Sequence, residues 1–376
     1  MHIFKTVSDI RIAPGGAAKL DLFVEGLCTN KRIAIVTDMG VRKLGLMDAG
    51  VAALSDAGYD VMIYDQVVPD PPDSIVQQIA NDMRLFDAGL VIGFGGGSPM
   101  DTAKVAACLA GSDQSLETMY GVDQVKGPRL PLLLIPTTSG TGSEVTNVAI
   151  LTTGKTAKKG VVSDPLYADR VLLDAELTLG LPASITASTG IDAMVHAIEA
   201  YTSIRLKNPI SDALALTALR KLRNNIVQAV NEPTNIDARN EMLMGAMIAG
   251  QAFSNAPCAA VHALAYPLGG FFHVPHGLSN ALVLTEVMKY NQPEADHWYA
   301  EIASDLGVGQ NGSSLVDEML RIKAETKVPT RLHEVNITAD AVHMMADDAM
   351  TKDRLLMNNA REMTHEAVVK IYETIL

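Results

Sequence analysis

Apolar residues in the first half of the chain come in short unbroken runs. Residues 32–38 (Arg-Ile-Ala-Ile-Val-Thr-Asp), 61–64, 89–92, 132–135 and 171–173 are such runs, spaced so that helices fit between them. Continuous Val, Ile and Leu alternating with helix-length segments predict a parallel sheet covered on both faces. Helices are expected at 51–57 and 75–85, and the loosely alternating residues 4–12 predict a peripheral hairpin. From residue 182 onward the pattern changes to long helical periodicity. The expected architecture is an α/β N-terminal domain, residues 1–181, with a Rossmann-like parallel sheet, followed by an all-α C-terminal domain, residues 182–376. No internal repeat, low-complexity tract or long linker interrupts it.

The longest departure from the average pattern is residues 242–285, which contain no Asp, Glu, Lys or Arg although 19% of the chain is charged. A membrane span needs roughly 18 or more consecutive apolar residues. Gln251, Ser254, Asn255, Pro257, Pro267, Gly269 and Gly270 break this stretch repeatedly, so it predicts a buried helical core and no membrane partner. A length of 376 residues fits two domains better than one. A formal charge of −13 lacks the basic excess that nucleic-acid binding requires. Three scattered cysteines (Cys28, Cys108, Cys258) cannot build a disulfide framework, and the opening residues lack the apolar run of a signal peptide. Both point to a reducing, cytoplasmic location.

Two loops follow predicted strands. The first runs Gly93-Phe-Gly-Gly-Gly-Ser98-Pro-Met-Asp101-Thr-Ala-Lys104. Glycines between a buried strand and a helix let backbone N–H groups approach a phosphate, and the helix N-terminus favours its charge. A tight turn without a ligand is the plainer alternative, but three consecutive glycines exceed what a turn needs. The G-x-G-x-x-G fingerprint fails at Ser98, and the candidate ribose-binding acid, Asp38, precedes the loop instead of following it. This is a nucleotide-binding pattern unlike the ordinary Rossmann one. The second loop, Pro136-Thr-Thr-Ser-Gly-Thr-Gly-Ser-Glu-Val-Thr146, lies where open α/β sheets bind ligands. Together the loops suggest two sides of one cofactor cleft.

The uncharged stretch carries three of the nine histidines: His262, His273 and His276. Buried imidazoles need a partner, and neutral imidazole is a common metal ligand. His262 lies in a helical segment expected to stop at Pro267, and His276 in a Pro-His-Gly turn. In the earlier segment Ser188-Thr-Gly-Ile-Asp192-Ala-Met-Val-His196, expected to open a helix with capping residues, Asp192 and His196 stand four apart on one face. A lone Asp–His pair more often makes a structural hydrogen bond. One carboxylate and three imidazoles suit Fe²⁺ or Zn²⁺. Cys258, four before His262, is a further donor, read as a buried inert thiol.

These segments resemble the iron-containing (group III) alcohol dehydrogenase family along nearly the whole chain. The resemblance rests on residues 95–104, 136–146, Thr189-Gly-Ile-Asp192-Ala-Met-Val-His196-Ala-Ile-Glu, and His262 through Pro275-His276-Gly277. It implies a dinucleotide-binding domain followed by a helical metal-binding and catalytic domain. It further implies that Asp192, His196, His262 and His276 hold the metal, with Fe²⁺ expected ahead of Zn²⁺ or Mn²⁺. Gly95, Gly96, Gly97 and Ser98 would cradle the pyrophosphate, and Thr137, Thr138 and Thr146 would line the cofactor from the other side. Lys158 would reach the nicotinamide ribose, and Leu177 would touch the cofactor. Asp38 fits the position associated with NAD rather than NADP, since its carboxylate would repel a 2′-phosphate; a strand-end cap is its alternative role.

The activity expected from the resemblance is hydride transfer between a small alcohol or aldehyde and nicotinamide, in a homo-oligomer. His273 is the candidate proton relay, with a surface histidine as the alternative. A dehydroquinate-synthase-like lyase, which also uses NAD and a divalent metal, is the competing function. Two departures from the family are Tyr266, where a histidine is frequent, and Asp70, where an asparagine is common.

Overall fold

Strands form where the Val/Ile/Leu runs lie, because such runs satisfy a strand buried on both faces. The computed structural model describes residues 3–154 and 157–376. Its strands are Ile10–Ile12 (β1), Arg32–Asp38 (β2), Asp60–Val67 (β3), Leu90–Gly95 (β4), Gly121–Val122 (β5), Leu132–Pro136 (β6), Val148–Thr153 (β7), Ala157–Val162 (β8) and Arg170–Leu173 (β9). Six make one parallel sheet in the order β1-β9-β6-β4-β2-β3. In β4, β6 and β9 every residue is buried. A smaller sheet runs β5-β8-β7.

The expected helices are present: Asp48–Asp56 (α1) starts three residues earlier and ends one earlier than expected, and Asp73–Phe86 (α2) extends past both expected ends. In α2, Val76, Ile79, Ala80 and Met83 are buried, the spacing of one helical face. A third helix, Gly97–Gly111 (α3), follows β4 directly. The expected N-terminal hairpin does not form. Ile10–Ile12 instead pairs in parallel with β9, Ile10 opposite Val171. The reason is that β9 is an all-buried strand whose outer ladder needs a partner, and the Asp9–Arg170 ion pair (2.6 Å) helps hold β1 there.

One compact unit holds all of this, comprising Thr6–Thr138 and Gly142–Leu179. The other comprises Gly180–Leu376 with Ser139–Thr141 and the residues up to Lys5. It is helical: Ala183–Thr202 (α4), Pro209–Asn231 (α5), Ile236–Asn255 (α6), Ala260–Phe272 (α7), His276–Asp305 (α8), Gly312–Glu325 (α9), Val342–Ala349 (α10) and His365–Thr374 (α11) are its main helices. Lys5 joins it through two bonds to Asn255, N–H to Oδ1 and Nδ2 to the carbonyl, both 2.8 Å. Among the described residues no helix is long and apolar enough to cross a membrane.

Three helix limits differ from the expectations. α4 starts at Ala183, after Pro182 at the N-cap, so Ser188 lies inside it; its hydroxyl bonds back to the Ile185 carbonyl. α7 continues through Pro267 to Phe272. Proline removes one backbone donor, but Val261, Leu264, Ala265 and Leu268 are buried along the helix, and that packing carries it past the break. His276 is the first residue of α8, not part of a free turn.

Candidate metal centre and cofactor loop

Three helices bring the donors together. α4 is buried along nearly its whole length and presents Asp192, His196 and Glu199 at positions i, i+4 and i+7. α7 contributes His262 from its first turn, and α8 contributes His276 and, one turn on, Asn280. One donor atom from each of Asp192, His196, His262 and His276 lies within 4.8 Å of every other. Nε2 of His196 and Nε2 of His262 are 3.0 Å apart. His276 Nε2 stands 3.7 Å from Asp192 Oδ1. Asp192 is 1% exposed and His196 and His262 4% each, whereas the His276 side chain is one-third exposed.

Gly277 makes the close helix approach possible. A Cβ there would sit 2.5 Å from the Ser188 carbonyl oxygen and 3.2 Å from Asp192 Cβ. Any larger residue at this point would hold α8 away from α4.

The donor chemistry fits a cation. Asn280 Nδ2 lies 2.6 Å from Asp192 Oδ1 and 3.3 Å from Nε2 of both His262 and His276. Its own Oδ1 is buried with no partner. A donor drawn towards a carboxylate and two imidazoles, at the expense of its own acceptor, marks a spot that calls for positive charge. The wider surroundings agree. Asp192 and Glu199 are both buried, and residues 182–204 and 242–285 contain no Lys or Arg to neutralise them. Two buried carboxylates whose charged partners are imidazoles alone match the charge of a divalent ion.

Protonation follows the same logic. Burial pushes His196 down to about 3 against the pull of Asp192, leaving the neutral imidazole a metal needs. Burial acts to raise Asp192, but His196, His276 and His262 together with the Asn280 hydrogen bond hold it below the usual carboxylate range. Burial disfavours charge on His262, yet Cys258 and Glu199 push it up. Since burial raises the Cys258 thiol itself, Glu199 is the charge that matters. Its Oε2 lies 2.6 Å from His262 Nδ1 and its Oε1 accepts the Val261 N–H at 2.7 Å.

In the α/β unit the glycine loop opens α3. Gly95 has φ 152°, and a Cβ there would meet Pro99 at 2.7 Å. Gly96 is the N-cap of α3 with no side-chain cap, so the first N–H groups of this helix remain for an anion. Asp38 Oδ1 caps the short helix Met39–Lys43, accepting from Gly40 and Val41 N–H at 2.8 and 3.0 Å. Its Oδ2 lies 3.4 Å from the position a Gly95 Cβ would take. The carboxylate therefore caps a helix and borders the glycine loop at once. Thr137 N–H bonds the Gly95 carbonyl (3.0 Å), and the Thr138 side chain faces Gly96.

Other expected residues have different surroundings. Thr146 is buried and its Oγ1 accepts from Lys104 Nζ at 3.0 Å. Lys158 pairs with Asp70 at 2.6 Å. Asp70 has φ 53°, a conformation that Asn and Asp tolerate. Leu177 packs into the core with Leu20, Ile35 and Leu172. His273 is exposed and left-handed (φ 56°) at the C-cap of α7, outside the four-donor cluster.

Sequence pattern does not single out four residues of these networks. Glu199 and Asn280 were detectable by extending the helical spacing beyond His196 and His276. Lys104 and Asp101 were not. Fully buried Lys104 donates to Ser143, Thr146 and the Val148 carbonyl, and Asp101 accepts from Ser143 and the Ile150 N–H. Those contacts join segments some forty residues apart.

Residues 8–175 match the family model for iron-containing alcohol dehydrogenase, and residues 186–376 that of the Fe-containing alcohol dehydrogenase family, C-terminal. The chain is 40% identical to long-chain-alcohol dehydrogenase 1 of Geobacillus thermodenitrificans over 91% of its own length and 89% of that protein. Its structure superposes on a 1,3-propanediol oxidoreductase crystal structure with a TM-score of 0.95, 31% identity and full coverage of both chains. A sulfoacetaldehyde reductase from Bifidobacterium kashiwanohense in complex with NAD+ gives a TM-score of 0.91 at 28% identity, covering 100% of this chain and 98% of that one. This chain belongs to the iron-containing alcohol dehydrogenase family. It is an oxidoreductase of the alcohol dehydrogenase and aldehyde reductase class.

Proposed function

We propose that the protein interconverts a small alcohol and its aldehyde, with NAD as the hydride carrier and one divalent ion held by Asp192, His196, His262 and His276. The observation that carries this reading is the four-donor cluster of Asp192, His196, His262 and His276, three of them buried, with the buried carboxylate of Glu199 behind His262. A divalent ion bound there would act as a Lewis acid towards a substrate oxygen. The helical unit, in this reading, is the metal-binding and catalytic domain, and the sheet unit the dinucleotide-binding domain. Fe²⁺ is the ion expected from the family resemblance, and the imidazole-carboxylate set equally accommodates Zn²⁺ or Mn²⁺.

The chain's own residues supply binding and exclusion of water. Burial of Asp192, His196 and His262 by the surrounding packing withdraws them from water, which strengthens the charge interactions among them. Gly95, Gly96, Gly97 and Ser98 offer backbone N–H groups at the start of α3 to a pyrophosphate, with Thr137 and Thr138 alongside. Asp38 Oδ2 accepts from ribose hydroxyls and repels a 2′-phosphate, favouring NAD over NADP. Lys158, Thr146 and Leu177 support the cofactor from beyond these loops, with Lys158 oriented by Asp70. His273, exposed at the end of α7, passes the proton to solvent.

Small alcohols and aldehydes are proposed as substrates on the names of 1,3-propanediol dehydrogenase of Citrobacter freundii and lactaldehyde reductase of Escherichia coli, while the name of long-chain-alcohol dehydrogenase 1 of Geobacillus thermodenitrificans adds longer alcohols to those worth assaying. Three free thiols fit a reducing cytoplasm, and the family resemblance implies a dimer or larger. The test is a panel of alcohols and aldehydes assayed with NAD(H) and NADP(H) on metal-stripped protein reloaded with Fe²⁺, Zn²⁺ or Mn²⁺. Metal-dependent NADH formation from an alcohol is expected. Activity independent of any added ion would defeat the proposal.

A further inference from the structure

We propose that Glu199 is the positioning residue of the metal centre, fixing the direction and tautomer of His262 and supplying the second buried negative charge that a divalent ion balances. This rests on the metal reading above.

Both carboxylate oxygens of Glu199 are committed to the first turn of α7. Oε1 accepts the Val261 N–H at 2.7 Å and Oε2 faces His262 Nδ1 at 2.6 Å. One side chain therefore ties down the backbone that carries His262 and the ring itself. A carboxylate only accepts hydrogen bonds, so Nδ1 must carry the proton and Nε2 the lone pair. That lone pair faces His196 Nε2, 3.0 Å away, inside the four-donor cluster. Carboxylate–imidazole–metal chains of this kind raise the basicity of the ligating nitrogen.

Burial gives the second argument. Glu199 is 3% exposed, His262 is its ion-pair partner at 2.6 Å, and among the described residues no Lys or Arg pairs with it. A carboxylate so placed is costly unless charge is returned to the site. Its distance from solvent and its i+7 position relative to Asp192 place its charge on the same buried helix face.

Glu199→Gln tests the idea sharply. Glutamine has one acceptor oxygen for two donors, so its NH₂ must face either Val261 N–H or His262 Nδ1–H. Full-length metal-stripped protein would be titrated with Zn²⁺ against a chromogenic chelator, and with Co²⁺ while following its visible absorption. Glu199→Gln is expected to bind Zn²⁺ about 10- to 100-fold more weakly and to show a changed Co²⁺ spectrum. Glu199→Asp, which retains both oxygens on a shorter stem, should recover part of the affinity. Zn²⁺ affinity within twofold of wild type and an unchanged Co²⁺ spectrum would overturn the assignment. If Glu199→Gln unfolds when stripped, the Zn²⁺ dependence of its melting temperature reads the same affinity. Unfolding that saturating Zn²⁺ does not reverse assigns Glu199 to the core alone and refutes the proposal. Failure of the wild-type protein to bind either ion would instead remove the metal reading itself.

Discussion

Replacing Gly277 with alanine adds one methyl where α8 meets α4, and its consequences follow from two distances. The new Cβ would lie 2.5 Å from the Ser188 carbonyl oxygen, whereas ordinary contact begins at 3.4 Å. The obstacle is backbone, so no side-chain rotation relieves it, and the helices must part by about 0.9 Å along that line. His276 precedes Gly277 on α8, while Asp192 and His196 follow Ser188 on α4. Ligand positions tolerate about 0.2 Å, so the shift separates the two halves of the donor set. Overpacking costs about 1–3 kcal/mol, and the better helix propensity of alanine returns up to about 1 kcal/mol. The net loss of up to roughly 3 kcal/mol corresponds to a fall of up to roughly 12 °C in melting temperature for a unit of this size. Activity should suffer more than stability, because a displacement near 1 Å can cost on the order of 100-fold in rate. The assay is kcat/KM for alcohol oxidation with Zn²⁺ affinity and calorimetry in parallel. Gly180→Ala, where a Cβ meets nothing within 4 Å, serves as the control. If Gly277→Ala keeps both Zn²⁺ affinity and kcat/KM within twofold, the helix contact does not set the ligand geometry.

Further outcomes follow from individual residues. Asp38→Asn retains the cap on Met39–Lys43, because asparagine caps as well as aspartate, but removes the charge. NAD-over-NADP discrimination should fall at least about tenfold with melting unchanged; an unaltered coenzyme ratio would make Asp38 a cap only. Glu144 is buried and pushed up to about 7 from 4.5, chiefly by burial. An acid whose folded pKa is raised favours folding below the unfolded value, and that contribution is lost as pH rises from 4.5 through 7. Glu144→Gln should therefore gain on wild type in unfolding free energy between pH 5 and pH 8, by on the order of 3 kcal/mol at most, read from melting curves at each pH; a pH-independent difference would count against this. His273→Ala should lower turnover at full metal content, and turnover equal to wild type would exclude it as the proton relay.

Sequence pattern alone determined the parallel sheet, the change to helices near residue 182, and a set of candidate donors from which the family resemblance selected four. Those features are local or periodic: unbroken Val/Ile/Leu runs report burial on both faces, and spacings of four report one helix face. The resemblance to a known family added roles for residues that pattern could not rank. Only tertiary structure decided where Ile10–Ile12 pairs, since an edge strand takes the partner that covers an exposed ladder wherever that partner lies in the chain. It alone carried α7 through Pro267, because packing outweighed a local breaker. It also decided that Asp38 borders Gly95, that Lys104 stitches α3 to the loop at 143–148, and that Glu199 faces His262. Each of those contacts joins residues at least thirty-nine positions apart, and a hydrogen bond between such distant segments leaves no periodic trace in the chain that makes it.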